Sequence, residues 1–273
     1  DDVESRGLGD VYKRQVLFGI VNYCKIARRI LYLKRKEVIQ MKKGKIFIVD
    51  GTDGSGKQTQ TEALYERLLK EGHNVRKITF PNYESPACQP VKMYLNGDFG
   101  TNPEDVNAYV ASTFYAVDRF ASYKMDWGKF YEEGGIIISD RYTTSNMIHQ
   151  AVKMEKEERE AYLEWLTDLE FTKYGLPKPD GVIFLNVDSE YTQKLMENRL
   201  NKINQEEKKD IHESDFEYLR KSYLNSLEIA EKYNWNKIDC IKDGQLRTIE
   251  DISDEIYKTI TSVSYTHLRA HET

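Results

Sequence analysis

Four groups of residues in this chain have the types and spacing to do chemistry. The first is GTDGSGK at Gly51–Lys57, following the apolar run KIFIVD. The spacing Gly51-x4-Gly56-Lys57 suits a phosphate-binding loop. Its glycines let successive backbone N–H groups turn toward one point, a following helix adds the positive end of its dipole, and Lys57 adds a full charge. Gly51, Thr52, Asp53, Gly54, Ser55, Gly56, Lys57, Gln58 and Thr59 are therefore expected to cradle the phosphates of a nucleoside triphosphate, with Gln58 standing where the pattern has Ser or Thr. The second group is Asp140-Arg141, closing an apolar run that starts at Gly135. A guanidinium there suits a bidentate grip on phosphate, the alternative being a structural ion pair between the two neighbours. The third is Tyr115 and Arg119, four apart on a helical pattern and hence on one face. A flat ring beside a guanidinium suits a nucleobase, and an i,i+4 cation–π pair on a solvated face is the plainer alternative. The fourth is the polar stretch 194–213, with Arg199, Lys202, Lys208 and Lys209, which by composition alone reads as a solvated charged helix.

The elements that must position these residues alternate. Residues 45–50, 74–80, 135–140, 181–187 and 237–241 read as short apolar strands, separated by helical patterns that include 58–72, 103–124 and 214–234. That alternation predicts a parallel sheet covered on both faces, with function at the carboxyl ends of its strands. Phe80 ends the second strand and by default belongs to the core.

Composition narrows the partners. The formal net charge of −5 and the lack of a basic stripe interleaved with aromatics argue against binding a nucleic acid polymer. Beyond residue 41 only Cys88 and Cys240 remain, far apart and without metal-ligand spacing, which suits a reducing cytoplasm. No apolar run approaches membrane-spanning length. The ends read differently from the middle. Residues 5–15 (SRGLGDVYKRQ) back-translate to a DNA whose reverse complement, in a shifted frame, encodes VSYTHLRAHE at 263–272. Residues 1–15 and 263–273 are accordingly expected to be translated adapter DNA. Residues 16–40 form either an untranslated leader, with a ribosome-binding sequence encoded at 36–38 before Met41, or a basic amphipathic helix for a membrane surface; the leader is favoured. One α/β domain is expected over 41–262.

From about Lys45 to Ser262 the chain resembles the thymidylate kinase family of P-loop nucleoside monophosphate kinases. The resemblance rests on VDGTDGSGK at 49–57, TFP at 79–81, FYAVDR at 114–119, SDRYTTSN at 139–146 and GLPKPDGVIFL at 175–185. It implies a P-loop NTPase fold, a five-stranded parallel sheet flanked by helices with a short helical lid. The implied activity is ATP-dependent phosphorylation of dTMP to dTDP for dTTP biosynthesis, with Mg2+, in a cytoplasmic homodimer. Alternatives are a kinase for another deoxynucleotide or a deoxynucleoside, or a non-catalytic nucleotide-binding regulator. By the same resemblance Tyr115 stacks on the thymine ring, and Arg119 and Asn146 hydrogen-bond its edge. Phe80 walls the base pocket, Asp53 holds the 3′-hydroxyl and lies near the metal, and Arg141 grips the acceptor phosphate. Lys57 and the loop amides hold the donor phosphates, Asp53 and Asp140 are the carboxylates nearest Mg2+, and Arg199 is the transition-state cation in the lid. Besides Gln58, three positions depart from the family pattern, and the lid is richer in lysine than family lids tend to be. Gly54 supplies no loop arginine, Tyr83 stands where many members have a phosphate-binding arginine, and His149 replaces a ribose-excluding tyrosine in the substrate site.

Overall fold

The computed structural model describes residues 43–188, 190–192, 212 and 215–269, the last with side chains to 262. The terminal stretches and the lid stretch with Arg199, Lys202, Lys208 and Lys209 lie outside the described residues. Five strands form one parallel sheet. β1 (Lys45–Asp50) leads through the glycine loop into α1 (Lys57–Lys70), β2 (Val75–Thr79) and α2 (Gln89–Asn96). Then come α3 (Ala108–Ser122), the short α4 (Gly128–Glu132), β3 (Ile136–Asp140), α5 (Thr143–His149) and α6 (Arg159–Thr167). β4 (Gly181–Asn186), α7 (Phe216–Lys232) and β5 (Asn236–Asp239) complete the sheet, and α8 (Ile249–Arg269) packs back on it. The strand order is β2-β3-β1-β4-β5.

β1 shows why this sequence makes a central strand. Successive side chains point to opposite faces. Phe47 and Val49 enter one core with Leu64 and Leu68 of α1, Ile138 of β3 and Ile252, Ile256 and Ile260 of α8. Ile46 and Ile48 enter the opposite core with Ile78, Phe80, Trp127, Ile137 and Tyr142. A strand buried on both faces cannot alternate polar and apolar, which is why KIFIVD reads as a continuous apolar run. The register brings Val49 and Thr79 level with Asp140 on either side of β3. Asp50, Phe80 and Arg141 thus leave the sheet at one edge.

The structure redraws some boundaries. The helix expected over 103–124 is three pieces: a single 3-10 turn at Pro103–Asp105, α3, and a π-helical turn at Tyr123–Trp127. The break falls where Val106 is extended and Asn107 caps α3, its side chain accepting from Val110 N at 2.9 Å. The last strand stops at Asp239, and a small hairpin of β6 (Ile241–Lys242) and β7 (Gln245–Leu246) follows. Its turn is Asp243-Gly244, both at positive φ, a dipeptide that signals a tight hairpin and that the strand reading passed over. Among the described residues no helix is long and apolar enough to cross a membrane.

Candidate active site

The loop between β1 and α1 is shaped for an anion. Gly51 lies at φ 153°, and a Cβ there would meet Leu185 O at 2.7 Å and Ser55 Oγ at 2.8 Å, so only glycine fits. Gly56 precedes the helix in the left-handed region, and α1 has neither a side-chain cap nor an acid in its first turn. Its leading N–H groups are left for a ligand. Lys57 is buried and folds back to donate from Nζ to Thr52 O at 2.6 Å. The buried hydroxyls of Thr52 and Ser55 have no hydrogen-bond partner among the described residues. Gln58 and Thr59, in contrast, are exposed.

Beside the loop, Asp53 forms a salt bridge with Arg141. This is the ion pair Arg141 makes, rather than the one with Asp140 that strand-end spacing also allowed. The guanidinium further donates to Ser145 Oγ at 3.2 Å and lies 3.3 Å from His149 Nε2. Burial opposes its charge, but Asp53, Asp50 and Asp140 outweigh that and hold it protonated. Arg141 itself sits at φ 68°, a left-handed conformation that disfavours a residue with a Cβ. Asp140 keeps Oδ1 buried and without a partner among the described residues. Asp50, which the sequence reading did not single out, organises the junction. It accepts from Gly51 N at 2.8 Å, from Ser145 Oγ at 2.9 Å and from Thr144 Oγ1. Burial raises its pKa, while Arg141 and Lys57 pull it back down.

The third cluster lies under α3. Arg119 is not on a solvated face; it is 1% exposed and its fork closes on Glu170 at 2.7 Å (Nε) and 2.6 Å (Nη2). Nη2 also donates to Asn146 Oδ1 at 2.9 Å. Phe80 is 3% exposed and tilts against Tyr142, so its ring belongs to the core as the default reading held. Tyr115 is half-buried and meets Tyr94 edge-on, beside Tyr83. Burial pushes the Asp118 carboxyl up, against one hydrogen bond from Asn82 N at 2.8 Å.

His149 is buried, and burial pushes its pKa down to about 3. It stacks on His212, whose Nε2 lies 2.7 Å from Tyr94 Oη. Lys153 donates to the same Oη at 2.6 Å and to Val106 O at 2.9 Å. Sequence reasoning missed Glu170, Tyr94, Lys153 and His212. Glu170 stands between Leu169 and Phe171 just before the GLPKP run, and nothing local in the sequence marks it or the other three as buried partners.

A glycine loop opening an uncapped helix, at the carboxyl edge of an all-parallel sheet and in ion-pair contact with a strand-end arginine, defines a P-loop phosphotransferase. The family model described as thymidylate kinase matches residues 49–256. Among similar proteins, thymidylate kinase of Mycobacterium tuberculosis is 30% identical over 53% of this chain and 67% of its own. That of Plasmodium falciparum is 27% identical over 81% of this chain and 92% of its own. A solved structure of thymidylate kinase from Candida albicans superposes with a TM-score of 0.61 at 21% identity, covering 81% of this chain and 92% of that one, which speaks to the fold. The chain belongs to the thymidylate kinase family.

Proposed function

We propose that this protein transfers the γ-phosphoryl group of ATP to dTMP, giving dTDP and ADP. The observation that carries this reading is the contact between Asp53 of the donor loop and Arg141 of the strand end. It brings a donor-phosphate cradle and an acceptor-phosphate cation within one side chain's reach. A phosphate oxygen of dTMP attacks the γ-phosphorus, the bond to the β,γ-bridging oxygen breaks, and ADP leaves with that electron pair. The acceptor is already an oxyanion at neutral pH, so positioning and charge neutralisation suffice and no general base is needed.

Lys57 and the loop amides hold the β- and γ-phosphates, and Arg141 grips the acceptor phosphate. Asp53 turns to the sugar 3′-hydroxyl, His149 lies along the sugar side, Tyr115 covers the base with Phe80 behind, and Arg119 and Asn146 meet its edge. Arg199 completes the site as the lid cation. Mg2+ neutralises the donor phosphates when bound. The partnerless Oδ1 of Asp140 is a carboxylate oxygen suited to it, directly or through water, with Asp53 second. Among the described residues no three acids, histidines or cysteines cluster to hold a metal alone.

Two assignments complete the proposal. The exposed Val110, Val117 and Phe120, at helical spacing along α3, support a homodimer through that helix; a monomer by light scattering at working concentration would count against it. The buried, unpaired Cys88 and Cys240 suit a reducing cytoplasm. The deciding experiment is coupled ADP release from the full chain with ATP and Mg2+, offering dTMP, dUMP, dCMP, dGMP and thymidine. Preference for dTMP is expected. Preference for thymidine, or ATP turnover indifferent to acceptor, overturns the assignment.

A further inference from the structure

α5 (Thr143–His149) carries side chains on the acceptor side, yet it is only seven residues long and has no side-chain cap at its start. A helix this short takes its place from tertiary contacts rather than from its own hydrogen bonds. Its amino end is tied down by hydroxyls. Thr143 Oγ1 donates at 2.8 Å to Glu170, in the π-helical turn Asp168–Lys173, and Thr144 Oγ1 and Ser145 Oγ donate to Asp50. Its carboxyl end bears His149, one turn after Ser145 on the same face. These two side chains flank Nη1 of Arg141, at 3.2 Å to Ser145 Oγ and 3.3 Å to His149 Nε2. A guanidinium only donates, so Nε2 accepts and the ring proton sits on Nδ1, which is buried without a partner among the described residues. The direction in which Arg141 presents its fork therefore depends on where the carboxyl end of α5 stands.

The last carbonyls of a helix have no N–H partner within it. In α5 that of Asn146 accepts from Gln150 N at 2.9 Å, and the next three are met by α7 (Phe216–Lys232). Asn225 Nδ2 donates to Met147 O at 2.9 Å and to Ile148 O at 2.8 Å, and Tyr218 Oη donates to His149 O at 2.5 Å. Carbonyls only accept, so the Asn225 amide has its nitrogen toward α5. Asn225 and Tyr218 are 3% and 2% exposed, and their spacing of seven puts them on one face of α7. Apolar contact also joins the helices, since Met147 shares a core with Ile229 and Ile148 with Ala230. Burial of that kind is non-directional and tolerates a slide of one helix along the other. Hydrogen bonds to three successive carbonyls do not.

We infer that Tyr218 and Asn225 are positioning residues for phosphoryl transfer. By fixing the carboxyl end of α5 against α7 they hold His149 against Arg141, and so aim the guanidinium at the acceptor phosphate. Their hydroxyl and amide are engaged by backbone carbonyls, so they act through α5 rather than on the substrate. The inference rests on the acceptor-site reading above and deepens it.

The test is a double-mutant cycle on Tyr218→Phe, which removes one hydroxyl and keeps the ring, and His149→Ala, with ATP, Mg2+ and dTMP. Alone, Tyr218→Phe is expected to lower kcat/KM for dTMP at least about fivefold, with KM for ATP within about twofold. In the His149→Ala background the same change is expected to lower it by less than about 1.5-fold, because the ring it positions is gone. A purely structural role lowers Tm and the active fraction and carries the same factor in both backgrounds. That outcome, or no effect of Tyr218→Phe alone, overturns the inference. Affinity for dTMP by calorimetry is read around the same cycle against the same two outcomes, so a slow His149→Ala variant still reports. Asn225→Leu removes both amide donors and is expected to lower kcat/KM for dTMP at least about tenfold; full activity in the folded variant is equally fatal. Failure of the functional reading looks different, since the unaltered chain would then not use dTMP at all.

Discussion

Arg141 offers a way to separate what a residue does for the reaction from what it does for the fold. Its guanidinium pairs with Asp53, and its backbone is held at φ 68°. Gripping the acceptor phosphate adds charge-assisted hydrogen bonds worth about 1.5–3 kcal/mol each. One such bond, to Asp53, already exists without substrate, so the net transition-state loss on truncation is about 2 kcal/mol, or about 30-fold in kcat/KM. Arg141→Ala and Arg141→Gly remove the same fork and are expected to lose activity alike. They differ in the backbone. Alanine keeps the steric cost of the left-handed conformation and glycine does not, so the glycine variant is expected to be more stable by about 1 kcal/mol, or about 2–4 °C in Tm for a chain of this size. The assays are coupled ADP release at saturating ATP with varied dTMP, and thermal unfolding by circular dichroism. An unchanged kcat/KM in either variant removes Arg141 from the acceptor site. A loss confined to KM for ATP moves it to the donor side, and equal stabilities refute the backbone argument.

Two further outcomes are expected. Burial brings the Lys153 ammonium from its ordinary 10.5 down to about 7, so between these values the unfolded chain holds a proton that the folded chain does not, and stability rises with pH. Relative to Lys153→Met, the unaltered chain should gain up to about 2 kcal/mol between pH 7.5 and 9 in urea titrations, at no more than about 1.4 kcal/mol per pH unit; a flat difference contradicts this. Asp140→Asn keeps the shape of the partnerless carboxylate but not its charge. The Mg2+ concentration for half-maximal activity should rise at least about fivefold at fixed ATP, and an unmoved midpoint takes Asp140 out of the metal's surroundings.

How much of this was legible in the sequence depended on how far apart the cooperating residues lie. The sheet was legible because each strand is a short apolar run between breakers, and a strand buried on both faces advertises itself through every residue. Its ends were less so, since one residue of extended backbone carries no compositional mark. The loop was legible because its function needs glycine at particular backbone angles, and no other residue fits at Gly51. The split of the aromatic helix was missed because helical periodicity dominated a single capping residue, Asn107, although the cap is what starts α3. The partner of Arg119 was unreadable for a different reason. Arg119 and Tyr115 share a helix, so their lying on one face follows from periodicity, but Glu170 reaches Arg119 across 51 positions of chain. Nothing local says that an acid in a π-helical turn will be buried. A buried guanidinium does say that a carboxylate must be found somewhere, because an unpaired charge at 1% exposure is too costly to keep. Sequence could therefore announce the arginine's need without naming the residue that meets it. The same logic joins site to fold. The carboxylate that makes burial of Arg119 tolerable also takes its Nε and one N–H of Nη2.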